Sequence, residues 1–492
     1  MISFQWKSSH LALAAVAVFL LAGCAARSAP IQPEATAQDE MTDPGGTPIP
    51  TRGPFPAGKV FEYTAQSGDT LEALAAHFNT TVDEILGENP ELPSEVTTIP
   101  PGYPLRIPAY YVPLTGPAFK ILPDSEVVNG PTAIGFDTED EIKSRPGYLA
   151  EMESFAYKKQ RKSWEVVDVI AANYSIHPRL LLSLLEHRSA ALSNPEASEQ
   201  DLLYPLGIED PRYRGLFWQL IWAAERINDG YYGWRTGSMK ELTLADDLVM
   251  RPDPWLNAGT VAVQSFFAGI YGETEFEHAV GVDGFYRTYL ELWGEPYELA
   301  EDLIPGSLQQ PELMLPFLPN RVWDFTGGPH PAWGTSLPLG ALDFAPPSEE
   351  SGCVLSDEWF TAPASGVVTR SEEASVVLDL DGDGDARTGW VLFFFHVATE
   401  GRIKQNSVVE RGAMLGHPSC EGGRATGTHI HFARLYNGEW IPAGGTIPFA
   451  MDGWLAAYGD APYEGTLTKG SKVVPASPAS RAENQILYTL PE

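Results

Sequence analysis

The stretch Cys420-Glu-Gly-Gly-Arg-Ala-Thr-Gly-Thr-His429-Ile-His431-Phe432 joins a glycine-rich loop to a short strand with two histidines two residues apart. Side chains alternate faces along a strand, so His429 and His431 share one face while Ile430 and Phe432 share the other. Two imidazoles side by side, backed by apolar residues, point to a metal site on a sheet. Upstream, Thr361–Thr369, Val376–Leu380 and Trp390–His396 read as strands separated by glycine turns, with no long helix between them. That pattern predicts a mainly antiparallel β domain over 311–470.

Within it, Asp379, Asp381, Asp383 and Gly384 match the first half of an EF-hand loop. The twelfth position is Trp390 rather than Glu, so a tight acidic hairpin turn is the preferred reading. Five of the ten histidines lie between 330 and 431. His330, Asp343 and His431 are of types that suit zinc, and three protein ligands leave a fourth tetrahedral position open. His396 and His429 are then candidates for proton transfer or oxyanion stabilisation. His417, in Gly416-His417-Pro418, reads as an ordinary surface or core histidine.

Four stretches carry a resemblance: Gly328-Pro-His330, Ala341-Leu-Asp343-Phe, Phe394-Phe-His396, and Cys420 through His429-Ile-His431-Phe-Ala-Arg-Leu-Tyr-Asn-Gly438. The segment is similar to the lysostaphin-type zinc endopeptidases, especially their beta-lytic (staphylolysin-like) branch. In the common branch the first His lies four residues before the Asp, where this chain has Leu339. The beta-lytic branch places it further upstream, and His330 to Asp343 is thirteen residues. The resemblance implies that His330, Asp343 and His431 bind one Zn2+ per chain and that His396 and His429 are catalytic. It implies cleavage of peptidoglycan peptide bonds, in stems or crossbridges and often at glycine. Cys420 matches a branch cysteine that forms a disulfide; Cys353 is the available partner here, at a position differing from the branch pattern.

At the other end of the chain, Lys7 and the apolar run Leu11–Leu21 lead to Leu21-Ala22-Gly23-Cys24. The run is short for a membrane span and reads as an export signal. Residues 1–24 resemble the bacterial lipoprotein signal, which implies lipidation at Cys24 and a lipid-anchored, extracytoplasmic protein; a plain cleaved signal is the alternative. Export also lets Cys353 and Cys420 pair, buried free thiols being the other reading. Residues 25–57 hold seven prolines and read as a disordered Pro-rich tether.

Residues 58–108 read as strand, helix, helix, strand, with Thr81-Val-Asp-Glu84 as a capping box. Ser67-Gly-Asp-Thr-Leu71 and Ile99-Pro-Pro-Gly-Tyr-Pro-Leu-Arg-Ile-Pro108 resemble a LysM domain, a small α+β (βααβ) unit. The resemblance implies binding of N-acetylglucosamine glycan between the two strand–helix loops. Ser67, Gly68, Asp69, Thr70 and Leu71 would line one side, and Thr97, Thr98, Ile99, Pro100 and Pro101 the other.

Residues 109–310 show helical spacing over Ser163–Tyr174, Leu180–His187, Leu216–Ile227, Asn257–Tyr271 and Phe285–Trp293, an all-α domain of unclear role with its own core. Glu186-His-Arg-Ser189 faintly resembles the region around the catalytic acid of lytic transglycosylases and goose-type lysozymes. However, His187 stands where their motif has Ser. Glu186 is thus either a glycan-cleaving acid in a bifunctional enzyme or part of a structural helix. Residues 471–492 read as a tail.

The 65 acidic and 32 basic residues give a net charge of −33, which excludes nucleic acid and anionic lipid surfaces as binding partners. A non-catalytic peptidoglycan-binding scaffold or hydrolase activator is the competing function. The complete set of five polar residues favours catalysis.

Overall fold

The computed structural model describes residues 52–489, so the signal with Cys24 and most of the tether lie outside the described residues. Among the described residues no helix is long and apolar enough to cross a membrane.

Lys59–Thr64 (β1), Leu71–His77 (α1), Val82–Glu88 (α2) and Pro104–Ala109 (β2) form the strand–helix–helix–strand unit, with β1 and β2 antiparallel. Thr70 caps α1 by accepting from the Ala73 amide, and Thr81 and Glu84 cap α2 reciprocally. Leu74, Phe78, Ile85, Ile99 and Ile107 fill its core.

The middle region is built on Ser163–Tyr174 (α3), Pro178–Ser189 (α4), Leu216–Arg235 (α5), Ala258–Ala268 (α6) and Phe285–Trp293 (α7). Every residue of α6 is buried, its polar Thr260, Gln264 and Ser265 included. Gly230 lets α5 approach it, because a Cβ there would meet Ser265 Cβ at 2.5 Å. Two short hairpins, Glu153–Ala156 with Lys159–Lys162 and Leu242–Thr243 with Val249–Met250, add β structure to a region read as all-α.

His177 caps α4 by accepting from the Arg179 amide through Nδ1. Its Nε2 is buried without a hydrogen bond, 3.9 Å from Glu126 Oε2, and burial pushes its pKa down to about 3. The unfolded chain takes up that proton near pH 6.5 and the folded chain does not, so stability falls as pH drops from 6.5 towards 3. His177→Asn keeps a capping oxygen and removes the titration. The acid dependence of unfolding in that window should then be shallower by about 1.4 kcal/mol per pH unit in pH-dependent urea titrations.

The C-terminal region is a large antiparallel sheet. Its strands, after the two-residue edge Val408–Val409, run in the order Gly366–Glu372, Ser375–Asp379, Trp390–Phe395, Ile430–Tyr436, Leu339–Ala345, Val322–Pro331 and Gln485–Leu487. In chain order these are β3 (Val322–Pro331), β4 (Leu339–Ala345), β5 (Gly366–Glu372), β6 (Ser375–Asp379), β7 (Trp390–Phe395), β8 (Ile430–Tyr436) and β9 (Gln485–Leu487). One face, with Trp323, Phe325, Leu342, Phe344, Phe394 and Phe432, packs on a four-stranded sheet that spans 450–475. Residues 471–489 are therefore no tail. Lys472–Pro475 completes the smaller sheet, β9 pairs with β3, and Ile486 is fully buried.

The opposite face explains a second departure. Val377, Val391, Phe393, Ala433 and Leu435 are apolar too, and they share one core with the helical region, which has no separate core of its own. Strands apolar on both faces need cover on both sides. Arg235, at the end of α5, ties the parts together. It bonds Asp124 at 2.9 Å, Glu439 at 2.8 Å and the Ser67 carbonyl of the small N-terminal unit.

The acidic run is a ten-residue connection, Leu380–Gly389, rather than a tight turn. Its carboxylates are used internally: Asp379 accepts from Asp381 and Gly384, and Asp381 from Asp383.

Candidate metal centre

Three adjacent strands of the apolar-covered face carry the ligand set. His431 on β8 stands opposite Asp343 on β4, and Asp343 stands opposite Gly327 on β3. The β3 register shifts between Gly327 and His330, and this irregularity turns the His330 ring inward. Gly327 leaves room for the carboxylate, since a Cβ there would sit 2.7 Å from Asp343 Oδ2.

Hydrogen bonds decide which nitrogens are free. A carbonyl only accepts, so His330 Nδ1 donates to Gly328 O at 2.8 Å and His431 Nε2 donates to Ala332 O at 3.0 Å. That leaves His330 Nε2 and His431 Nδ1 as bare acceptors, 3.0 Å apart, and both face Asp343 Oδ1 at 3.3 and 3.4 Å. Asp343 Oδ1 is buried with no hydrogen-bond partner. Three lone pairs converging in a buried space call for a cation, and the donor set of two imidazoles and one carboxylate suits zinc.

His396 and His429 stand beside this group with ring centroids 4.5 Å apart. Each directs Nδ1 to a carbonyl, Glu421 O at 2.9 Å and Gly427 O at 2.8 Å, so both Nε2 atoms are free. His429 Nε2 lies 3.8 Å from Asp343 Oδ1. Burial, then the neighbouring His429, lowers the His396 pKa to about 4, so it is neutral at pH 7. His396 directly follows β7 and has φ +63°, in the left-handed region that favours glycine.

The glycine-rich loop can lie flat because Gly422 and Gly423 face the Phe395 ring, where Cβ atoms would come within 2.7 and 2.9 Å. A Cys353–Cys420 disulfide ties this loop to residues 346–358. Together they wall a long cleft over the metal group, of about 2120 Å³, that reaches Tyr157 and Tyr174 of the helical region and Pro475–Asn484. Tyr463, not foreseen from sequence, stacks on His330 at 4.2 Å and fixes that ring from the cleft side. Its neighbours Pro462 and Glu464 give no periodicity or motif that could have revealed it.

The LysM-type loops are placed differently. Ser67, Asp69, Leu71, Thr98 and Ile99 are buried, and the chain's own segment Ile304–Leu308 lies between the two loops. Ser67 Oγ accepts from Ile304 N at 2.8 Å, Thr98 Oγ1 from Leu308 N at 2.9 Å, and Thr98 O from Ser307 N at 2.7 Å. Pro100 packs on Gly306, while Gly68 lies against Arg235. Thr70 serves as the α1 cap, and Pro101 turns the chain towards β2.

Glu186 lines neither this cleft nor the smaller groove beside Pro100. Its carboxylate accepts from the Leu192 and Ser193 amides at 2.8 and 3.2 Å, closing the loop after α4. This is a structural use of the residue.

Residues 63–108 match the LysM domain family, and residues 120–306 match the family described as LasA, N-terminal domain. Protease LasA of Pseudomonas aeruginosa strain UCBPP-PA14 is 23% identical over 301 residues, which is 57% of this chain and 68% of that protein. The same protease from strain PAO1 matches to the same extent. Among solved structures, the M23 metalloprotease pseudoalterin from the deep sea is similar over 34% of this chain and 96% of its own, with 22% identity and a TM-score of 0.29. The lysostaphin catalytic domain from Staphylococcus simulans is similar over 25% and 90%, with 19% identity and a TM-score of 0.19. The chain thus carries a LysM domain over residues 63–108, followed by a LasA-type N-terminal domain over 120–306, and it is similar to protease LasA.

Proposed function

We propose that the protein is an extracytoplasmic zinc endopeptidase that hydrolyses peptide bonds of peptidoglycan, in stems or glycine-containing crossbridges. The observation that carries this reading is the convergence of His330 Nε2, His431 Nδ1 and the unpartnered Asp343 Oδ1 beside two histidines with free Nε2 atoms. Zinc held by the three would polarise a scissile carbonyl and acidify a water. His396 and His429 are close enough together for one to take a proton and the other to hold the developing oxyanion or pass a proton to the leaving amine. A glycine-rich substrate suits the cleft because it brings no side chains between its backbone and the sheet. Lipid attachment at Cys24 would keep the enzyme at the envelope.

Mass spectrometry of peptidoglycan digested by the zinc-loaded protein and by His429→Ala tests this. New amino termini in the peptide moiety are expected with the first alone, and identical digests from both would end the reading.

Glycan binding through residues 67–71 and 97–101 requires Ile304–Leu308 to leave its place between the loops. A Cβ at Gly306 would sit 2.4 Å from Pro100 Cγ and 2.8 Å from its Cα, so Gly306→Val cannot seat the segment. In sedimentation with insoluble peptidoglycan, Gly306→Val should bind several-fold more than wild type. Equal binding by the two proteins would mean that the loops are not a concealed glycan site.

A further inference from the structure

The metal-bearing face of the sheet holds a second carboxylate that the metal group does not use. Asp324 lies on β3, opposite Ala345 on β4 and Gln485 on β9. Trp323 and Phe325 on either side of it point into the core, so Asp324 takes the face of Asp343. It is 7% exposed, it lines the cleft, and its Oδ1 has no hydrogen-bond partner. Thr326 also lines the cleft, with a buried hydroxyl that is likewise unpartnered. A buried carboxylate oxygen without a donor is costly to keep. The fold makes no use of this one.

Its position relative to the reacting centre follows from the register. Asp324 is opposite Ala345, two residues beyond Asp343, and such diagonal neighbours stand roughly 7–8 Å apart. An extended peptide rises about 3.3 Å per residue, so that distance spans about two substrate residues. The cleft lining supplies eight carboxylates against two guanidiniums, Arg424 and Arg481, and neither arginine pairs with Asp324.

We propose that Asp324, with Thr326 beside it, is a subsite for an ammonium group of the substrate about two residues from the scissile bond. The proposal rests on the peptidase reading above. An ammonium is a compact charge with three donors, which matches a carboxylate oxygen and a hydroxyl on one strand face. The group could be the free amino terminus of a short peptide or the side-chain amine of a diamino residue.

The test compares kcat/KM of the zinc-loaded wild type and Asp324→Asn on three peptides: tetraglycine amide, its N-acetyl form, and an N-acetylated glycine peptide with one internal lysine. Wild type should prefer an amine-bearing peptide over the N-acetyl form by about tenfold, the scale of one charge-assisted hydrogen bond. In Asp324→Asn that ratio should fall to about one. Which amine restores the preference identifies its source, and a ratio unchanged by the substitution overturns the proposal. Calorimetric titration with triglycine amide and its N-acetyl form makes the same comparison without turnover. A protein that cleaves none of the peptides would therefore count against the peptidase reading, while the binding ratio still decides the subsite. Removing an unpaired buried charge should leave the unfolding temperature of Asp324→Asn at or above that of wild type. Should that variant fail to fold, Thr326→Val is expected to lower the ratio in the same direction, and an unchanged ratio there overturns the proposal.

Discussion

His431→Ala is expected to lose zinc and at least about a thousandfold in kcat/KM on peptidoglycan peptides, the scale of removing an electrostatic stabiliser from a developing oxyanion. Metal analysis of the purified protein should fall from about one zinc per chain to near zero, in line with a three-ligand site. His431 is expendable to the fold in a way that its neighbours are not. It packs beside Phe393 and Phe395, but its ring nitrogens serve only the metal position and the Ala332 carbonyl. Circular dichroism should therefore be unchanged. His429→Ala separates the roles: zinc should remain bound, while kcat drops by about 10²–10⁴-fold, the range for a lost proton-transfer group. Zinc loss in both variants would mean that His429 is a ligand.

The largest effect on stability is expected at Arg235. It is 9% exposed in its side chain and pairs with Asp124 and Glu439, both buried. Burial pushes the Glu439 carboxyl up and Arg235 draws it down. Arg235→Met keeps the volume and leaves two buried carboxylates without their cation, at a cost of about 3–5 kcal/mol. Glu439 would then be neutralised more easily, so the deficit should shrink as pH falls. Urea unfolding followed by tryptophan fluorescence measures both. A cost below about 1 kcal/mol would mean that Tyr231, Asn257 and Gly259, which also bond these carboxylates, suffice.

The site was legible in the sequence to the extent that it lay in local pattern. His429-Ile-His431 sits on alternating faces whatever the rest of the chain does, and Thr81-Val-Asp-Glu84 is a local cap that forms as written. α3 and α7 occupy the spans their spacing implied, Ser163–Tyr174 and Phe285–Trp293. What failed to show depended on distant partners. Val376 to Leu378 and Leu392 to Phe395 are apolar on both faces, which signals double cover but not what supplies it; here it is the helical region. The LysM-type loops read as an open groove because their turn chemistry is intact, while the segment that fills it is some 200 residues away. Gln485–Leu487 is too short for any periodicity, so its pairing with Val322–Asp324 was invisible. Asp324 had no motif around it, and only the register with Ala345 gives it meaning.

The Cys353–Cys420 bond closes a ring through 67 residues of chain that contains β5, β6 and β7. Leu355, the most exposed large apolar residue among those described, lies inside that ring. A scavenging protease that cuts at Leu355 therefore cannot separate His330 and Asp343 from His396, His429 and His431, since the pieces stay one covalent molecule. Outside the cell, where thiols are scarce and proteases common, the enzyme survives a nick that would halve an unbridged chain.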